Sequence, residues 1–144
     1  MQIVADFMTS KVVTVQMDDT VATIQEIFDE SLFHHLVVVK DRQVVGVISD
    51  RDLLKNISPF IGNNWMERKQ DTNTLKKRAH QIMRRPPIVT LQTVAVAEAA
   101  TKLIQEQVTC LPVVDEDGRL EGIVTWRDLM PHCFSCQQDR SDAA

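Results

Sequence analysis

Two stretches decide the reading of this chain: Gly46–Leu53, GVISDRDL, and Gly122–Leu129, GIVTWRDL. Each runs from a Val/Ile-rich segment into a hydroxyl residue, Ser49 or Thr125, and then to an acid three positions later, Asp52 or Asp128. The pattern is that of a strand ending where a helix begins, with hydroxyl and carboxylate placed as in a capping box. Such a cap stabilises a helix by roughly 0.5–2 kcal/mol, which is a sufficient structural reason for the motif. The same atoms also suit a ligand. A helix start offers backbone N–H groups to phosphate, a neighbouring Asp can accept from ribose hydroxyls, and Arg51 and Arg127 beside each Asp are suited to phosphate oxygens.

Working outward, the duplication extends over most of the chain. From Met8 the order is an extended VVTV (Val12 to Val15), a helical stretch from Val21, LVVV (Leu36 to Val39) and VVGVIS (Val44 to Ser49). From Met83 it returns as IVTL (Ile88 to Leu91), a helical stretch from Val96, LPVV (Leu111 to Val114) and LEGIVT (Leu120 to Thr125). Val21, Ile24, Ile27 and Phe28 share a helix face, as do Val96, Ala99, Ala100, Leu103 and Ile104. Asp19 or Thr20 is the expected N-cap of the first of these helices. KDRQ and DEDGR carry turn residues between the second and third strands, which predicts an antiparallel hairpin in each half. The first strand and the helix after it form a connection long enough for a parallel crossover. The expected fold class is therefore α/β (α+β), two tandem β-α-β-β-α repeats packed around a pseudo-two-fold axis, since neither half alone has much to bury.

The expected division is a first repeat over 1–54, a connector over 55–81, a second repeat over 82–131 and a tail over 132–144. In the connector, SPFIGNN with Pro59 and Gly62 ends the preceding helix. Leu75, Ala79, Ile82 and Met83 then sit at helical spacing, so a loop followed by a helix is expected. Phe60, Ile61, Trp65 and Met66 serve either as core or as a partner surface, and ERKQD as a solvated face.

Composition narrows the function classes. Apolar residues make up 44% of the 144 and charged residues 25%, an ordinary globular balance. A net charge of −4 argues against a nucleic-acid partner. No segment approaches the roughly 20 apolar residues a bilayer span needs, and MQIVADFMTSKVV lacks a basic region followed by a long apolar stretch, so no membrane partner and a cytoplasmic location are expected. Cys110, Cys133 and Cys136 are an odd set, unlike a secreted disulfide framework. His132 with Cys133 and Cys136 supplies three metal ligands, a fourth having to come from Cys110 or another chain, so there is no closed set of four and no metal site is assigned. No Ser-His-Asp order, glycine-rich phosphate loop or carboxylate pair stands out, so no enzyme activity and no cofactor are expected.

With MTSKVVTV, HHLVVV and GVISDRDL in one half and MRRPPIVTL, TCLPVVDEDGRLEGIVT and WRDL in the other, the chain resembles paired cystathionine-β-synthase (CBS) domains, the Bateman module, from about Ala5 to Pro131. It looks most like the stand-alone bacterial type related to acetoin utilisation. The resemblance implies a non-catalytic regulatory module that binds an adenosine-containing small molecule, AMP, ADP, ATP or S-adenosylmethionine, in clefts between the repeats. It also implies a homodimer that signals to an unidentified downstream protein, the alternative being a ligand-free dimerisation scaffold. Carried over residue by residue, one cleft uses Ser49, Arg51 and Asp52 with Ile88, Val108 and Thr109. The other uses Thr125, Arg127 and Asp128 with Val13, Phe33 and His34. One departure from the family pattern is Val37, which stands where the second repeat has Pro112.

Overall fold

In the computed structural model the described residues are 2–57 and 74–131. The expectations for the SPFIGNN loop, for Phe60, Ile61, Trp65 and Met66, for ERKQD and for the cysteine tail fall outside them. The chain divides into two compact units, Val13–Pro87 and Met1–Val12 with Ile88–Ala144.

The unit Val13–Pro87 holds β1 (Thr14–Gln16), α1 (Val21–Asp29), β2 (His35–Lys40), β3 (Gln43–Ser49), α2 (Asp50–Asn56), a 3-10 turn at Thr74–Lys76 and a one-turn helix α3 (Ala79–Ile82). Its sheet order is β1-β2-β3, with β1 parallel and β3 antiparallel to β2. The two-residue turn after β2 puts both Asp41 (φ 51°) and Arg42 (φ 68°) in the left-handed region, the twist a tight hairpin requires. Thr20 is the N-cap of α1, its Oγ1 accepting from Thr23 N at 3.3 Å. Apolar faces of α1, β2 and β3 close over Ile24, Leu36, Val38 and Ile48, joined by Leu53 from α2 and by Ala79, Ile82 and Met83. Among the described residues the run toward the second repeat is a 3-10 turn and a single helical turn, shorter than the spacing of Leu75, Ala79, Ile82 and Met83 suggested, and these four positions pack into or against the core.

The second unit repeats the plan with β4 (Thr90–Leu91), α4 (Val96–Glu106), β5 (Cys110–Val114), β6 (Leu120–Thr125) and a helix, α5, described over 126–131. Again β4 runs parallel and β6 antiparallel to the central β5. Its hairpin turn is built on Asp115, whose Oδ1 accepts from Asp117 N and Arg119 N, and on Gly118 at φ 84°. Val4, Leu103, Leu111, Val113, Val124 and Leu129 lead its core.

Both outer strands are shorter than the VVTV and IVTL segments. The parallel ladder begins only at Thr14 and Thr90, and Val13 is left 43% exposed. Val37 in place of proline has no consequence for the hairpin. Val37 and Pro112 are both buried on the central strand, and both hairpins shift register at the following step, Val38/Val39 and Val113/Val114.

Each unit includes a short leading segment from the far end of the other repeat's sequence. Met83 lies over Gly46 of β3, where an added Cβ would stand 2.5 Å from its sulfur, and Arg84 exchanges backbone hydrogen bonds with Val47 at 2.9 and 3.3 Å. Met8 lies over Gly122 of β6, and Thr9 exchanges backbone hydrogen bonds with Ile123 at 2.8 and 2.9 Å. Gly122 is needed because the Thr9 carbonyl approaches it closely, whereas a Cβ at Gly46 would meet only the Met83 side chain.

Candidate functional site

The two strand-to-helix corners are built alike up to their last hydrogen bond. In the first unit β3 ends at Ser49, which is extended (φ −93°, ψ 163°) and is the N-cap of α2. Ser49 Oγ accepts from Asp52 N at 3.1 Å, and Asp52 Oδ2 accepts from Ser49 N at 3.0 Å, a complete capping box. Asp52 is 8% exposed, and its Oδ1 lies 3.6 Å from Nε of Arg84. Arg51 is exposed. Asp50 N donates to the His34 carbonyl at 2.9 Å, and His34 Nδ1 lies 3.0 Å from Asp50 Oδ2, which ties the start of β2 to the start of α2. Phe33 packs half-buried against Phe28, with ring centroids 6.3 Å apart.

In the second unit β6 ends at Thr125. Thr125 N donates to Asp128 Oδ2 at 2.9 Å, but the hydroxyl also donates to that oxygen, at 3.2 Å, instead of capping the helix. Thr9 occupies the place that Arg84 takes on the other sheet, and among the described residues Asp128 has no ion pair. Trp126 N donates to the Thr109 carbonyl at 3.3 Å, matching the Asp50–His34 link. Thr109 and Arg127 are exposed, while Val108 and Ile88 are half-buried against the unit's core.

Each corner therefore brings hydroxyl, carboxylate and helix start together, and each has the preceding strand's first residues beside it. Sequence reasoning missed Arg84 and Asp50. Arg84 carried a usable signal, because it follows Met83 as Thr9 follows Met8. A cavity of about 260 Å³ lies elsewhere, lined by Val89, Thr90, Leu91, Val94, Glu98 and Lys102, and contains none of the predicted site residues. Among the described residues no group of three or more His, Cys, Asp or Glu is placed to hold a metal, and no helix is long and apolar enough to cross a membrane.

His35 pairs across the hairpin with Ser49, directly behind the first corner. Burial holds its imidazole below the ordinary value, and the neighbouring His34 charge pushes the same way; Asp50 and Asp52 oppose them. The folded state thus keeps His35 neutral while the unfolded chain takes up a proton near pH 6.5. Its stabilising contribution is present above that pH and is lost as pH falls further. A thermal-denaturation series from about pH 8 to about pH 5 should show wild type losing more stability on acidification than His35→Gln. Parallel curves for the two proteins would exclude His35 as the titrating group.

The CBS domain family model matches residues 4–59 and 79–134, one match for each of the repeated corners. The chain belongs to the CBS domain family. A CBS domain-containing protein of Dictyostelium discoideum is 34% identical to this CBS pair over 133 residues, covering 89% of this chain and 88% of that one. Among solved structures, CBSX2 of Arabidopsis thaliana in complex with AMP is 30% identical, covers 94% of this chain and 98% of its own, and superposes with a TM-score of 0.75. AcuB of Vibrio cholerae, at 20% identity, shares the fold with a TM-score of 0.74 over 99% of this CBS pair and 97% of its own chain.

Proposed function

We propose that this CBS pair is a regulatory module that binds an adenosine-containing ligand, AMP, ADP, ATP or S-adenosylmethionine, and passes the signal to a partner protein. The observation that carries the reading is the duplicated corner, in which Ser49 with Asp52 and Thr125 with Asp128 bring a hydroxyl, a carboxylate and a helix start together. The AMP complex of CBSX2, at 30% identity over nearly the whole chain, supports the choice of ligand class. The hydroxyls and the cations Arg51 and Arg127 are candidates to face phosphate in this reading, a corner carboxylate, Asp52 or Asp128, faces ribose, and Val13, Phe33, His34, Ile88, Val108 and Thr109 are further ligand contacts. The module has no catalytic step of its own and needs no cofactor.

A homodimer is part of the proposal. Leu54 on α2 and Met130 on α5 occupy equivalent positions and are 73% and 49% exposed, apolar surface that a second copy would cover. The buried thiol of Cys110 suits a reducing compartment, and the proposal places the protein in the cytoplasm.

Thermal unfolding with AMP, ADP, ATP and S-adenosylmethionine tests the reading, alongside sedimentation to read the mass. A ligand at a hundredfold excess over its dissociation constant is expected to stabilise a dimer by about 2.7 kcal/mol. Absence of any shift at millimolar ligand would favour the ligand-free scaffold, and a monomeric mass would remove the dimer.

A further inference from the structure

The two corners differ in what faces the carboxylate, and the difference bears on how many ligands the chain takes. Asp52 has both carboxylate oxygens engaged: Oδ2 takes the Ser49 N–H at 3.0 Å, and Oδ1 faces Arg84 Nε at 3.6 Å. Asp128 directs a single oxygen, Oδ2, at both the N–H and the hydroxyl of Thr125, and is half-buried, with no cation paired to it among the described residues. The cause lies in the segment bridged to the edge strand of each sheet. Arg84 bridges Val47 and Thr9 bridges Ile123 through the same pair of backbone hydrogen bonds, so the side chains start from equivalent points, but only arginine is long and charged enough to reach the acid.

A ribose must compete for the carboxylate it binds. At Asp52, two neutral hydroxyls would have to displace a guanidinium that lies 3.6 Å from a carboxylate only 11% exposed, giving up the attraction of opposite charges. At Asp128 no such exchange is needed. We propose that Arg84 closes the first corner to ribose by holding Asp52 in an ion pair, so that Asp128 is the ribose acceptor and each chain binds one adenosine ligand, not two. This rests on the adenosine-binding reading above and adds to it the stoichiometry and the residue that sets it.

Calorimetric titration of the full chain with AMP provides the test. The expected result is one ligand per chain in the wild type, with Asp128→Asn weakening it about ten- to hundredfold. Arg84→Thr, which copies the residue at position 9, is expected to raise the count to two. The double variant Arg84→Thr/Asp128→Asn should return it to one. Because Arg84 joins β3 through backbone atoms, Arg84→Gln serves as a second variant with the same expected gain should the threonine variant fold poorly. Two ligands per wild-type chain, an unchanged count in both Arg84 variants, or loss of binding in them would overturn the proposal while leaving adenosine binding intact. No heat with AMP, ADP, ATP or S-adenosylmethionine would overturn the underlying reading as well.

Discussion

Leu129→Ala is expected to destabilise the protein by about 2–5 kcal/mol, among the largest effects any single substitution should have here. Leu129 has no exposed surface and sits on α5 one residue after Asp128, packed with Val4, Leu103, Leu111 and Val124. Removing its isobutyl group loses the transfer energy of the buried carbons and leaves a cavity that two strands and a helix cannot collapse to fill. The loss should appear as a lower urea midpoint with an unchanged slope. Leu32→Ala is the control: Leu32 is 94% exposed, and its truncation should stay within about 0.5 kcal/mol. Equal effects from the two substitutions would mean that Leu129 is not in the core.

Gly122→Val is expected to cost about 1–3 kcal/mol and to lift the segment around Thr9 off β6. A Cβ at this position would stand 2.8 Å from the Thr9 carbonyl oxygen and 2.9 Å from the Met8 sulfur. The methionine can swing aside, but the carbonyl is fixed by the two hydrogen bonds that Thr9 and Ile123 exchange. The variant should therefore show faster hydrogen exchange at the amides of Thr9 and Ile123, with the β5–β6 ladder otherwise protected. Gly118→Ala separates this from a general glycine effect. Gly118 has open space around it but a φ of 84°, so alanine there should cost about 1–2 kcal/mol in backbone strain and leave exchange at Thr9 unchanged. Unaltered exchange at Thr9 in Gly122→Val would show that the close approach is not rigid.

What the sequence made legible was whatever rests on local spacing. The hairpin strands follow from runs of Val and Ile broken by KDRQ and DEDGR, and α1 and α4 from apolar residues three and four apart. The caps are local too, which is why Ser49 and Asp52 meet as their spacing predicts. Thr125 and Asp128 have the same spacing, yet the hydroxyl turned to the carboxylate, since a threonine rotor can satisfy either partner. The short β1 and β4 were misjudged in extent because a parallel partner, not β propensity, decides how many of their residues pair. Arg84 escaped notice for a related reason. Its ion pair with Asp52 spans a long stretch of chain, and only the parallel between Met83-Arg84 and Met8-Thr9 points to it.

The placement of Met8 on β6 and Met83 on β3 has a consequence for dissecting this molecule. A fragment cut to match one copy of the duplicated pattern carries its own methionine but not the one that roofs its sheet glycine. Cutting at Val13 and Pro87 instead keeps roof and sheet together. The repeat pattern and the compact units thus draw different borders through the same polypeptide, so a single excised copy would need a strip from elsewhere to cover its sheet glycine.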